Sequence, residues 1–443
     1  MQTVDLILTA GWLAPVDGRS SYESNFAVAV DDGRIAAVGP IAAVERQYSP
    51  RDRVDLPHHV LIPGLVNSHS HAAMTLMRGF ADDLPLGVWL KDHIWPTEGQ
   101  WVSPEFVWDG TSLAIAEMLA GGVTCFNDMY FFPEVAADAA IELGIRMVAG
   151  MICFDMPNAY ADSADECIDK GLALRSRLTG QGRVTTAFAP HAPYTVSDAP
   201  LARIARLSRE LDVRVHTHVN ETREEDPNSV GAHGMTTLRR LDALGLLNDR
   251  LVAAHMVHLS DDDIATVASA GSSVVHCPES NLKLASGFCR VDDLLRAGVN
   301  VALGTDGAAS NNDLDLLAEM RIAALLSKGV ANDAASLPAE HALYLATMGG
   351  ARALGLGDEI GSIEVGKRAD LVAVSLDEWS SQPMYNPISQ LVYTTNRNQV
   401  TDVWVDGRQR VREASLVDVD RGDLLKRAKR WAEQIGRWVP QAR

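Results

Sequence analysis

The chain has 443 residues, 47% of them apolar and 22% charged, and its 39 basic against 58 acidic side chains give a formal net charge of −19. That length suits one large domain with a smaller companion, and the apolar share supplies an ordinary buried core. The charge argues against a nucleic-acid partner, because so acidic a surface repels phosphate backbones.

Residues 1–58 alternate apolar and polar positions between turn signals. Short strands are expected at 4–8, 27–30 and 34–38, with Asp32-Gly33 as a hairpin turn. A strand–helix unit then repeats. Apolar runs at 60–66, 123–126, 145–152, 184–189, 213–219, 251–254, 273–275 and 299–303 alternate with helical patterns, among them 106–119, 199–211, 235–244 and 314–326. Eight runs is the count that closes a (β/α)8 barrel, although runs this short are also compatible with seven or nine strands. After Gly361 the chain returns to strands, at 367–374 and 401–411, the second with Asp406-Gly407 inside it. The fold expected is α/β: a TIM-like barrel over 59–360 and a small β-sandwich built from both ends, 1–58 and 361–420. A terminal helix at 421–438 lies within 421–443.

Five cysteines, Cys125, Cys153, Cys167, Cys277 and Cys289, have no C-x-x-C spacing and read as reduced thiols. The first residues lack a basic region followed by an apolar run, and no apolar stretch reaches the roughly 18 residues of a membrane span. These features lead us to expect a cytoplasmic protein without membrane association.

The polar residues able to do chemistry sit at the carboxyl ends of the runs: His69 and His71, Asp128, His191, His216 and His218, His255, His276, Asp306. In a parallel barrel those ends converge on one mouth, where active sites are built. A single strand-end histidine is as readily a cap for buried backbone. A whole set on one rim is not. His69-Ser70-His71 places two imidazoles on the same side of a strand, and His216-Thr217-His218 repeats the spacing. Imidazoles with one carboxylate suit Zn²⁺, with Fe²⁺ as the rival. The ligands assigned are His69, His71, His218 and Asp306, with one ion per subunit; His216 is the histidine set aside with least certainty.

Pro-Gly-x-x-Asn-x-His-x-His at 63–71, His218-x-x-Glu221, Ala254-His255 and Gly-Thr-Asp-Gly at 304–307, in that order, resemble the amidohydrolase superfamily. The nearest resemblance is to its branch of 5′-methylthioadenosine and S-adenosylhomocysteine deaminases, and it extends to Gly-Lys-x-Ala-Asp-Leu at 366–371. The resemblance implies hydrolytic deamination of the adenine ring of a nucleoside by a zinc-activated hydroxide. Glu221 would take the water proton and deliver it to the ring nitrogen. His255 would bond the attacking water or the tetrahedral oxygen, and Asp306 would help deprotonate the water and assist the leaving amine. Glu98 matches a glutamate that grips the ribose hydroxyls, His191 would contact the ribose or a purine nitrogen, and Ser310 would complete the purine contacts. Trp89 would supply an apolar wall, with ordinary core packing nearly as well supported. The phrase Cys277-Pro278-Glu279-Ser280-Asn281 is assigned only to loop shape. Similar proteins are dimers or larger, so a homo-oligomer, dimer or tetramer, is expected.

One departure bears on the substrate. Relatives that accept S-adenosylhomocysteine can carry arginines after the third strand, whereas residues 150–157 here hold Met151, Phe154 and Met156 and no arginine. Such side chains suit a thioether methyl better than a carboxylate, which places 5′-methylthioadenosine first, adenosine next and S-adenosylhomocysteine last. The rivals are another hydrolase of the superfamily, acting on guanine, cytosine or a triazine, and a catalytically dead barrel used as a scaffold. Glu98 weighs against the first, since a free base offers no vicinal diol. The intact ligand set weighs against the second.

Overall fold

The computed structural model describes residues 1–437. Two eight-stranded sheets organise them. One is a run of parallel neighbours in chain order: Leu65–Ser70, Val123–Asp128, Arg146–Cys153, Val184–Pro190, Val215–Val219, Leu251–His255, Ser273–His276 and Asn300–Leu303. These strands are buried along almost their whole length, which is why they read as continuous apolar runs without alternation. The barrel closes where the last strand meets the first. Asp306 N–H donates to His69 O at 3.0 Å, and the Asn67 side chain bonds Thr305 across the same seam. This is the expected (β/α)8 barrel.

The chain ends form the second sheet. Gln2–Leu13 lies between Glu23–Asp31, antiparallel, and Tyr48–Pro63, parallel. Tyr48–Pro63 pairs in turn with Leu371–Ser375, followed by Val400–Val405 and Arg408–Arg412. The turn residues are those the hairpins demand: Asp32 and Gly33 have φ of 48° and 73°, Asp406 and Gly407 φ of 49° and 70°, the left-handed pair of a type I′ turn. Leu8, Val30, Leu371 and Trp404, from both ends of the chain, share one small core.

The apolar run at 60–66 is divided between the two sheets. Val60 pairs with Val374 and Pro63 with Leu371 in the chain-end sheet, and the barrel strand starts only at Leu65. Gly64 makes the transfer. Its N–H donates to Asp370 O at 2.8 Å, and a Cβ there would stand 1.9 Å from Thr124 Oγ1. A buried ion cluster ties the two bodies together below the barrel. Arg146 grips Asp370 through Nε at 2.9 Å and Nη2 at 3.1 Å, and Nη2 reaches Asp406 at 2.7 Å.

Side chains cap the starts of several helices. Ser103 Oγ accepts Phe106 N–H ahead of Pro104–Ala120, and Asp315 accepts Leu317 and Ala318 N–H, so the helix expected at 314–326 runs Leu316–Ala331. Residues 86–101 form an element the apolar pattern did not announce: a short turn Leu86–Val88, a π-helical turn Trp89–Ile94 and the helix Trp95–Trp101. It carries Trp89 and Glu98 over the barrel mouth. The terminal helix is Arg421–Gly436, docked on Pro104–Ala120 through Trp431 Nε1, which donates to Asp109 Oδ2 at 2.8 Å; Trp438, the end expected for it, lies outside the described residues.

Candidate active site

His69, His71, His218 and Asp306 come from the first, fifth and eighth barrel strands, and one ligand atom from each lies within 4.8 Å of all the others. His69 Nε2 and His71 Nε2 are each 3.2 Å from Asp306 Oδ1, and His218 Nε2 is 3.3 Å from His71 Nε2. The outer nitrogens decide the tautomers. His71 Nδ1 donates to Met129 O at 2.5 Å and His218 Nδ1 to His191 O at 2.6 Å, which leaves each Nε2 with a lone pair aimed at the cluster. His69 Nδ1 faces His216 Nε2 at 2.8 Å, while His69 Nε2, fully buried, has no hydrogen-bond partner. Converging lone pairs without protons between them are costly unless a cation joins them. Three imidazole nitrogens and a carboxylate oxygen form the donor set of a zinc site. His216 supports His69 from behind and is not among the converging groups.

Asp306 is held from its other oxygen. Ser280 Oγ and Ser310 Oγ each lie 2.7 Å from Asp306 Oδ2. His255 Nδ1 donates to Asn281 Oδ1 at 2.9 Å, so its Nε2 is the free nitrogen. The phrase assigned to loop shape therefore supplies Ser280 and Asn281, one support for each of two site residues. Asp128 also proves to be a support: its Oδ1 accepts Ala72 N–H at 2.7 Å and fixes the turn after His71. Asn220, His255, Met256 and Asp306 have φ of 50°, 73°, 44° and 60°. Non-glycine residues in that region cost about 1–3 kcal/mol each and collect at functional sites.

One pocket over this cluster is lined by His71, His218, Asp306, Glu221, His255, Glu98, Trp89, His191 and Ser310. All the residues expected at the site thus meet there except His69, which lies beneath, and His276 is buried elsewhere. Glu221 is buried, and desolvation raises its pKa above the ordinary carboxylate range against the opposing charge of His255. Burial pushes Glu98 up to about 7, opposed by Tyr130 and His71. Among the described residues the Glu98 carboxylate forms no side-chain hydrogen bond that meets ordinary distance and angle limits. Phe154 stacks on His191 with centroids 4.5 Å apart and planes at 25°. Its other face meets Phe131 at 5.6 Å and 22°. Trp89, 5% exposed, is both packed in the core and part of the pocket wall. Tyr130, beside Glu98, is a wall residue that sequence reasoning missed; its place two residues beyond the second strand was the available signal.

Comparison with known proteins follows the same line. The amidohydrolase family pattern matches residues 60–410, and an imidazolonepropionase-like composite domain of bacteria matches 27–48. A 5-methylthioadenosine/S-adenosylhomocysteine deaminase of Teredinibacter turnerae is 48% identical over 434 residues, 98% of each chain. One of the same name from Saccharophagus degradans is 46% identical, over 97% of each. A crystal structure of an adenosine deaminase from Xanthomonas campestris with bound zinc has a TM-score of 0.97 and 50% identity, covering 99% of this chain and 100% of the other. A zinc complex of the atrazine chlorohydrolase from Arthrobacter aurescens has a TM-score of 0.90 and 25% identity, covering 96% and 99%. The chain belongs to the amidohydrolase family.

Proposed function

We propose that this protein hydrolyses the 6-amino group from the adenine ring of a nucleoside, converting 5′-methylthioadenosine to 5′-methylthioinosine and ammonia. The observation that carries the reading is a single pocket holding both a zinc-type donor cluster with a buried glutamate beside it and a second carboxylate, Glu98, free to accept two hydroxyls. The relatives named as deaminases of such nucleosides support it.

His69, His71, His218 and Asp306 would hold the metal, whose Lewis acidity lowers the pKa of water towards about 7. Glu221 takes a proton from the attacking water and passes it to the ring nitrogen; its raised pKa suits an acid that must also act as a base. His255, oriented by Asn281, bonds the oxygen that adds to the ring carbon. Asp306, steadied by Ser280 and Ser310, receives the second proton and gives it to the departing amine. Glu98 chelates the ribose 2′ and 3′ hydroxyls through charge-assisted bonds. His191 contacts the purine, Ser310 acts through Asp306, and Trp89 with Phe154 walls the pocket.

No Lys or Arg lines this pocket among the described residues, so the 5′ substituent it favours is small, apolar and uncharged. That supports methylthioadenosine over S-adenosylhomocysteine, and Glu98 supports a nucleoside over a free base. Within residues 59–360 the barrel, which starts at Leu65, forms the catalytic unit, the enzyme works in the cytoplasm as a homo-oligomer, and nucleic acid is not a partner. Among the described residues no helix is long and apolar enough to cross a membrane. Ammonia release with Glu98→Ala tests the substrate class: loss with nucleosides is expected, and undiminished turnover would refute it.

A further inference from the structure

We infer that Glu225 is a positioning residue for Glu221: its carboxylate fixes the turn that aims Glu221 at the reacting atoms. This rests on the proposal that Glu221 carries the proton. Glu225 belongs to an acidic stretch with Glu221 and Glu224, yet it is only 7% exposed. Its Oε1 accepts the backbone N–H of Glu221 at 2.7 Å and of Thr222 at 3.0 Å, and its Oε2 accepts that of Asn220 at 2.9 Å. Three consecutive amides thus converge on one side chain, at the first residue of the helix Glu225–His233.

The turn they make is not one the chain adopts freely. Asn220 has φ of 50°, immediately after the strand that carries His218. The opposite side is also tied. Asn220 O accepts N–H from Val257 and His258, each at 3.0 Å, and Asn220 Nδ2 donates to His258 O at 3.1 Å. The turn is therefore clamped between Glu225 and the segment that follows His255. Glu225 itself is absent from the inner pocket wall and lines the outer cleft instead. Because it stands outside the inner wall, it acts on the reaction through the turn that carries Glu221.

Removing the carboxylate leaves up to three buried donors without a partner, so the turn relaxes and Glu221 moves with it. A displacement of about 1 Å at a reacting group costs on the order of 100-fold in rate. Glu225→Gln keeps the shape but has one acceptor oxygen, and its NH₂ must face a backbone N–H. The expected result is kcat for methylthioadenosine lowered about 10- to 100-fold, with KM within about threefold and zinc content unchanged. The double variant Glu221→Gln/Glu225→Gln should be no slower than Glu221→Gln alone, because one residue acts through the other. A purely structural role would slow the double variant further. If Glu225→Gln loses zinc or unfolds, Glu225→Asp takes its place in the same cycle. Wild-type kcat in the Glu225 variant, or losses that multiply, would overturn the inference while leaving the role of Glu221 intact. Full activity in Glu221→Gln would instead bring down the reading it rests on.

Discussion

Asn67 and Thr305 clasp each other across the seam of the barrel: Asn67 Nδ2 donates to Thr305 Oγ1 at 2.8 Å, and Thr305 N–H donates to Asn67 Oδ1 at 3.0 Å. Asn67 precedes His69 by two residues and Thr305 adjoins Asp306, so this pair sets the spacing of two metal ligands on the first and last strands. Asn67→Ala leaves the buried Thr305 N–H unpaired, at about 1–3 kcal/mol, while the Thr305 hydroxyl keeps its bond to Asp306 O at 3.0 Å. Denaturant unfolding of the zinc-loaded variant should show that loss, and zinc should exchange faster to a weak chelator. Unchanged stability and exchange would mean the seam does not set the site.

Glu98 gives the site a pH dependence. With its pKa near 7, the carboxylate is mostly protonated below that pH and mostly ionised above it. Only the ionised form accepts from both ribose hydroxyls, so kcat/KM rises as pH increases from 6 to 8 and then levels. Glu98→Gln should remove that limb and lower kcat/KM by roughly 100-fold, about 2.7 kcal/mol, in line with the loss of charge-assisted bonds. A limb that survives in Glu98→Gln belongs to another group.

The wall built from Phe131, Phe154 and His191 favours an apolar 5′ tail. Phe154→Ala should raise KM for methylthioadenosine about tenfold, from lost burial and lost stacking on His191 of about 1.4 kcal/mol. An outer cleft that shares Leu90, Trp95 and Tyr194 with the pocket carries cations, among them Lys91 and Arg223. Whatever turnover S-adenosylhomocysteine shows should fall in Lys91→Ala and Arg223→Ala, with methylthioadenosine unaffected. Equal effects on both substrates would count against this division of the cavity.

Arg146 joins the barrel to the chain-end sheet with its side chain almost fully buried against Asp370. Arg146→Ala leaves Asp370 charged and buried, a change that costs about 3–5 kcal/mol. Thermal unfolding should move down accordingly. A shift of only a degree or two would show that the ion pair is not what couples the two sheets.

Much of the barrel and its mouth was legible because parallel strands deliver all their carboxyl ends to one rim. Run ends therefore brought His69, His71, His218 and Asp306 into one candidate set, but that set also held Asp128, His191, His216, His255 and His276, and the choice of His218 over His216 did not follow from position alone. The split of 60–66 at Gly64 was not legible, since strands buried on both faces show no alternation to mark a change of sheet. Nor was the helical segment at 86–101, whose π-helical turn breaks the regular period. The supports were hidden for a different reason. Ser280 and Asp306 are 26 residues apart in sequence, and Asn67 and Thr305 are 238 apart; hydroxyls and amides become partners only after the barrel closes. The role of Glu225 was not legible because nothing in the sequence shows three amides turning towards it.

The most direct test is ammonia release from 5′-methylthioadenosine by zinc-loaded protein, by the same protein after chelation, and by the chelated protein with zinc restored. Adenosine, S-adenosylhomocysteine, guanine and a triazine serve as competing substrates. The account predicts deamination of methylthioadenosine first and adenosine second, abolished by chelation and recovered with zinc. Activity that persists without the metal, or a preference for the free base or triazine, would contradict it.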